Sequence, residues 1–246
     1  MSRFFSIIGS LLIAVAATAE YRFPVGERIT YSIHWGLISC GTSTISCDEV
    51  ELDGRQLIRI RITAKSNWLV SNLYPVNDRV DCFIDPVTKL SVRLEKNTSE
   101  GGFKCKDILC IDRESNTANW ISESVGITTN YPVAARACDA VSFLYAFRYH
   151  EFAADEAREF NIAVDAALHG ITITAGKAAG KKVGEEGEAS CRKYTVTPKR
   201  DDLFVRKIPR GIWLTEDKRK ILVRMDIKVP VGKVRIVLDK YIPPTE

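Results

Sequence analysis

Between Ile29 and Leu37 every second residue is apolar: Ile29, Tyr31, Ile33, Trp35 and Leu37 alternate with Thr30, Ser32, His34 and Gly36. A period of two over this length is strand geometry with one face in a core, and a helix cannot satisfy it. The pattern recurs along the chain. Ile58, Ile60 and Ile62 stand against Arg59, Arg61 and Thr63, and Val80, Cys82 and Ile84 share a face, as do Leu90, Val92 and Leu94. Near the end, Ile221, Val223, Met225, Ile227 and Val229 alternate, and Val234, Ile236 and Leu238 return. Gly36 and Gly41 permit a bend or bulge after the first strand. Asp53-Gly54, Asp85-Pro86 and Pro230-Val231-Gly232 supply turn chemistry between runs. Shorter strands are expected around Phe160–Val164, Ile171–Ile173, Tyr194–Thr197 and Gly211–Leu214. The polar tract Glu95–Gly102 reads as a loop, and Phe103–Ile111 as its hairpin partner with a register fault near Asp107. Ala175–Ser190, rich in Gly, Ala, Lys and Glu, reads as a mobile loop or loose hairpin.

One segment breaks the period. Ala140, Phe143, Leu144 and Phe147 recur at helical spacing, Asp139 can cap them, and Arg148 and His150 suit the negative end of a helix dipole. Short strands, regular turns and one helix predict an all-β, mainly antiparallel fold. We expect a single barrel or half-barrel-like sheet with one helix packed near residues 139–150, in one domain over residues 20–246.

The first residues have another character. Arg3 is basic, Phe4–Ala17 is apolar apart from Ser6, Gly9 and Ser10, and Ala17-Thr18-Ala19 gives the small-x-small pattern of a cleavage site. The apolar stretch is short for a membrane span. Residues 1–19 therefore read as a signal peptide, with a mature chain starting at Glu20 and no cysteine there to anchor it. The expected location is the periplasm or the cell envelope, with no stable membrane span after cleavage.

Composition narrows the classes. Basic and acidic residues number 35 and 31, dispersed along the chain, for a net charge of +4. That balance lacks the clustered Lys and Arg of a nucleic-acid partner. Seven cysteines (40, 47, 82, 105, 110, 138 and 191) in an oxidising compartment imply some disulfides and at least one thiol left over. Connectivity stays open except for one exclusion. Cys40 and Cys47 are an odd number of residues apart, so one strand puts them on opposite faces, over ~20 Å apart and beyond disulfide reach.

Motifs for chemistry are absent or spoiled. Gly176-Lys-Ala-Ala-Gly180-Lys181-Lys182 lacks the glycine spacing and the Ser or Thr that a phosphate loop requires. His34, His150 and His169 have no metal spacing, and there is no C-x-x-C pair. Asp78, Asp81 and Asp85 fall on different faces and in a turn, which accounts for them without a cation. Cys138 and His150 would lie ~18 Å apart along a helix, too far for proton transfer. No cofactor, no metal and no catalytic residue is expected, though the sequence leaves an enzymatic role open.

Aromatic residues are the remaining candidates for binding. Tyr31, Trp35, Trp68, Tyr74 and Trp213 could line a ligand cavity, with core packing as the plainer account. Arg148, at the helix end, could pair with Glu27 or Asp78 and hold helix to sheet.

Several blocks resemble a known family. Phe23-Pro24-Val25-Gly26-Glu27 through Tyr31, with Trp35-Gly36 and Gly41, is similar to the opening of the bacterial domain of unknown function 3108 family. Tyr74-Pro75-Val76-Asn77-Asp78 and Asp85-Pro86-Val87-Thr88 resemble its next block, and Asp139 to Arg148 its helix. Trp213-Leu214-Thr215 with Arg219, and Val231-Gly232-Lys233-Val234, resemble its closing hairpin. The resemblance implies an exported envelope protein of unassigned activity. The expected role is binding or carrying an apolar or glycan-like envelope component. A protein–protein module in envelope assembly is the alternative, ahead of a thiol enzyme.

Overall fold

A computed structural model describes residues 22–199, 208–229 and 232–245. The expected signal segment 1–19, the cleavage point before Glu20, and Pro230 and Val231 of the last turn lie outside the described residues.

The first half is a meander of β1 (Arg28–Trp35), β2 (Ile38–Leu52), β3 (Arg55–Ser66), β4 (Asn77–Ile84), β5 (Ser91–Glu100), β6 (Phe103–Asp112), β7 (Thr117–Ser122) and β8 (Ile127–Pro132). A short α1 (Trp68–Ser71) sits between β3 and β4. Then come β9 (Cys138–Asp139), α2 (Ala140–Phe147), β10 (Ala157–Val164), β11 (Ala167–Lys182), β12 (Glu188–Pro198), β13 (Pro209–Thr215), β14 (Leu222–Lys228) and β15 (Lys233–Ile242). All fifteen strands join one sheet, in the order β8 through β1, then β15 back to β9. Every pairing is antiparallel except β9 with β10. The β1–β15 ladder, Arg28↔Ile242 to Trp35↔Val234, welds the two meanders together.

The sheet does not close by hydrogen bonds; β8 and β9 remain its edges. It rolls until it overlaps itself. Consecutive residues of β10 show this, because strand neighbours point to opposite faces. Ile162 is buried in the main core with Ile171, Ile173 and Phe143, whereas Ala163 packs in a second cluster with Leu109, Ile111, Ala118 and Val133 from β6–β8 and its flank. The inner face of β6–β8 therefore covers the outer face of β10. Polar groups finish the seam: Lys96 Nζ meets Asp165 Oδ1 at 2.9 Å, and the Tyr131 hydroxyl donates to the Asp165 carbonyl at 3.0 Å. Arg113 donates to the carbonyls of Ser91 and Ala137.

Helix α2 plugs one end of the roll. Asp139 caps it, its Oδ1 accepting from the backbone N–H groups of Val141 and Ser142, as Asp does at an N-cap. Its Oδ2 accepts from Ser142 Oγ at 2.8 Å and Cys82 Sγ at 3.3 Å, tying the cap to β4. Phe143 and Phe147 enter an aromatic cluster, with ring centroids 5.1 Å from Phe160 and 4.9 Å from Tyr194.

The structure departs from the sequence expectations in several places. β1 stops at Trp35, Gly36 turns the chain at φ 61°, and Leu37 is fully exposed, so the alternation runs two residues past the strand. The expected loop Glu95–Gly102 is β5 as far as Glu100, paired without interruption to β6. Its polar character reflects an inward row of charged groups and an open end, described below. Asp107 marks no register fault; it faces Lys96 in register, buried and 2.7 Å from its Nζ. Ala175–Ser190 is largely strand, because β11 runs to Lys182 and pairs Ala179 with Cys191. α2 ends at Phe147 rather than His150, and α1 was not foreseen.

All seven cysteines are free, against the expectation of bridges. Register explains one near miss. Cys47 and Cys82 both pair with Ile60, from opposite sides, so two strand spacings, ~9.6 Å, separate them. That exceeds the ~7 Å limit for a disulfide between Cα atoms.

Candidate functional site

The inner face changes character along β1. Glu27, just before it, and Ile29 and Tyr31 are buried, whereas Ile33 is half-buried and Trp35 largely exposed. The plugged end of the roll thus lies at Glu27 and an open mouth at Trp35, ~26 Å along the strand. Pairing carries the mouth around the sheet. Trp35 pairs with Val234 and Ile38, Gly41 with Ser66, Lys65 with Asn77, and Glu100 bridges Val76.

A cavity of about 700 Å³ occupies this mouth. Ile33, Trp35, Ala64, Val76, Val234 and Ile236 make its wall mainly apolar, and Val70 of α1 and Tyr74 cover one side. Backbones approach closely here: a Cβ at Gly41 would collide with the Lys65 carbonyl, so only glycine lets β2 and β3 meet at that point. α1 is set by Asn67, whose side chain accepts from the Val70 N–H at 3.0 Å and donates to the Ser39 carbonyl at 2.7 Å.

The polar part of the wall includes two carboxyl side chains, Asp78 and Glu100, beside Lys65 and Ser66. Asp78, Glu100 and Tyr74 all line the cavity, and Asp78 Oδ1 also accepts from the Ser99 N–H at 2.8 Å. Burial, followed by the Asp78 carboxyl, raises the pKa of Glu100. Burial and these carboxyls likewise raise the Tyr74 phenol.

The plugged end holds the counterpart. Arg148, the residue after α2, donates through both terminal nitrogens to Glu27, each at 2.7 Å. Tyr145 and Tyr241 donate to the same carboxylate at 3.2 and 3.3 Å. Arg148 also donates to the carbonyls of Lys220 and Arg219. Both charged groups are buried. Burial acts to lower the Arg148 pKa, but the Glu27 hydrogen bond and charge outweigh it and hold the guanidinium above its ordinary value. The Tyr31 phenol, driven up by burial, donates to the Leu222 carbonyl at 3.0 Å.

The aromatic candidates thus part company. Trp35 and Tyr74 line the mouth cavity. Trp68 projects from α1 with 79% of its surface exposed. Tyr31 is fully buried deeper in the core. Trp213 is elsewhere, stacked between cations, with Arg224, Lys181 and Lys193 at 4.5, 5.4 and 5.4 Å from its ring. Of the polar candidates, Arg148 takes Glu27, and Asp78 belongs to the mouth, a molecule's length away. The sequence reading missed Glu100 because it lay in a tract read as loop; its offset from Leu94 and Lys96, an even number of residues, is the signal that places it on the inner face.

Among the described residues no three His, Cys, Asp or Glu side chains converge as a metal site. No described helix is long and apolar enough to cross a membrane. The mouth is thus a mainly apolar space with the Asp78 and Glu100 carboxyls on its wall.

The family described as "Protein of unknown function (DUF3108)" matches residues 30–239. This chain belongs to the DUF3108 family. No curated protein matches the sequence. Among solved structures, this DUF3108 chain is similar to a beta-barrel-like protein of domain of unknown function 1849 from Brucella abortus. That similarity has a TM-score of 0.59 at 11% identity, covering 92% of this chain and all of the other, and it concerns the fold.

Proposed function

We propose that this protein binds a lipid-like, apolar ligand in the mouth of its rolled sheet, in the cell envelope after export. The observation that carries the reading is the cavity of about 700 Å³ walled by Ile33, Ala64, Val76, Val234 and Ile236. Its size falls in the ordinary range of small-molecule sites, ~300–1,000 Å³. Its sparse polar lining suits an acyl chain better than a glycan, whose hydroxyls need many partners. The Asp78–Glu100 pair would meet the polar end of such a ligand as a proton donor and acceptor. Export rests on the N-terminal pattern of residues 1–19. Strand-edge pairing with a protein partner has weaker support, since the free edges are the six-residue β8 and the two-residue β9.

The test is titration of the protein with a fluorescent long-chain fatty acid, beside an Ala64→Phe variant that fills the cavity. Saturable one-site binding, weakened about tenfold or more in the variant, is expected; tenfold equals ~1.4 kcal/mol. Absence of binding, or equal binding by both proteins, would refute the proposal. Mass spectrometry of protein from an exporting host checks the cleavage before Glu20.

A further inference from the structure

Among the described residues, the rim around the mouth carries most of the exposed large apolar side chains. The β1–β2 turn presents Leu37 and Ile38, and α1 with its exit presents Trp68, Leu69 and Leu73. The β5–β6 turn presents Phe103, and the β7–β8 turn Val125, with Ile127 beside it. Leu37 and Leu73 are 100% and 90% exposed, values that core packing does not explain. These turns lie at one end of the roll. Asn67 N–H donates to the Cys40 carbonyl, Gly101 N–H to Pro75, and Glu123 N–H to Lys106, which links each turn to the next.

Among the described residues, the charges left unpaired on this rim are positive. Exposed Lys65, Lys104 and Lys228 have no ion-pair partner among the described residues. The described carboxylates nearby are engaged: Glu123 by Lys106 at 2.7 Å, and Asp226 by Arg224 and Lys233 at 2.8 and 3.2 Å. Asp78 and Glu100 turn into the cavity instead. Apolar tips flanked by unpaired lysines complement an anionic headgroup layer over a hydrocarbon interior, with aromatic side chains at the boundary.

We infer that the mouth rim docks on the surface of an anionic lipid bilayer, inserting Leu37, Trp68, Leu69, Leu73 and Phe103, while Lys65, Lys104 and Lys228 contact headgroups. The docked mouth opens directly onto the acyl region. The inference concerns the rim and stands whether or not the cavity takes a ligand.

The experiment is flotation of the protein, as recovered from an exporting host, with vesicles of phosphatidylcholine alone or mixed with phosphatidylglycerol. Binding to the mixed vesicles that weakens in high salt is expected. Leu37→Ser, Leu69→Ser and Leu73→Ser together change only exposed side chains and should reduce binding roughly tenfold or more. Lys65→Gln, Lys104→Gln and Lys228→Gln together should reduce it about a hundredfold, from three lost headgroup contacts. Brominated lipid should quench tryptophan fluorescence, and Trp68→Phe should remove much of that quenching. Ala64→Phe should bind vesicles like the parent, which separates docking from cavity occupation. Equal flotation of parent and both triple variants, or no flotation at all, would overturn the inference. So would a parent dimer in light scattering that the leucine variant converts to monomer without any vesicle binding, since the rim would then cover a second copy.

Discussion

Replacing Arg148 with methionine keeps an unbranched apolar stem and removes the charge and five donors. In the parent, that guanidinium makes two hydrogen bonds to Glu27 and two more to the carbonyls of Arg219 and Lys220. The variant leaves the Glu27 carboxylate buried with only the Tyr145 and Tyr241 phenols, both at longer range. Removing one partner of a buried pair costs about 3–5 kcal/mol, chiefly because the other charge is stranded. Both groups are inaccessible, so solvent screening does not reduce that figure. For a domain of this size, ~1 kcal/mol shifts Tm by 2–4 °C, so a fall of about 6–20 °C is expected. Urea unfolding followed by tryptophan fluorescence measures the free energy directly. Glu27→Met with Arg148→Met should recover most of the loss, because two apolar side chains leave no stranded charge. A single variant within ~1 kcal/mol of the parent, or a double variant no better than the single, would refute the reasoning.

Three further outcomes are expected. Glu100→Gln should stabilise the protein at neutral pH. The folded pKa of Glu100 is raised, so its stabilising protonation is fully present below the unfolded value and lost as pH rises through the folded one. The variant and parent should therefore converge in acid, as thermal melts from acid to neutral pH would show. Thiol labelling of the native protein should spare Cys47, whose pKa burial pushes up to about 12, and Cys82, also raised by burial and by Asp139. Denaturant should release both, as counted by mass. Phe147→Ala should cost about 3–5 kcal/mol in the same urea assay, since the ring is buried against Tyr194 and Phe152.

The sequence was most readable where one face of a strand is fully dry. Ile58, Ile60 and Ile62 against Arg59 and Arg61 declared β3, and the structure pairs Arg61 with Asp81 at 2.6 Å on the outer side. Asp53-Gly54 declared its turn, and both residues take positive φ, 52° and 74°, as a type I′ hairpin requires. Legibility failed where the inner face turns polar. Lys96, Asp107 and Glu100 face inward, so the end of β5 resembled a loop and Asp107 an error of register. Trp35 and Trp68 are apolar by type and exposed by place, because they stand at an open end that alternation alone cannot reveal. Of the site, the aromatic signal gave Trp35 and Tyr74, whereas Ile33, Val76, Val234 and Ile236 needed the roll of the sheet to bring them together.

In a barrel closed by hydrogen bonds, strand number and shear fix the circumference, and widening it means breaking a ladder. Here the edges β8 and β9 never pair, and the overlap rests on Ala163 packed against Leu109, Ile111, Ala118 and Val133, with a few polar clasps. The bore of such a scroll is set by how far one margin slides over the other. Slippage there would exchange only side-chain contacts, the Lys96–Asp165 and Tyr131–Asp165 clasps among them, with every backbone ladder left intact.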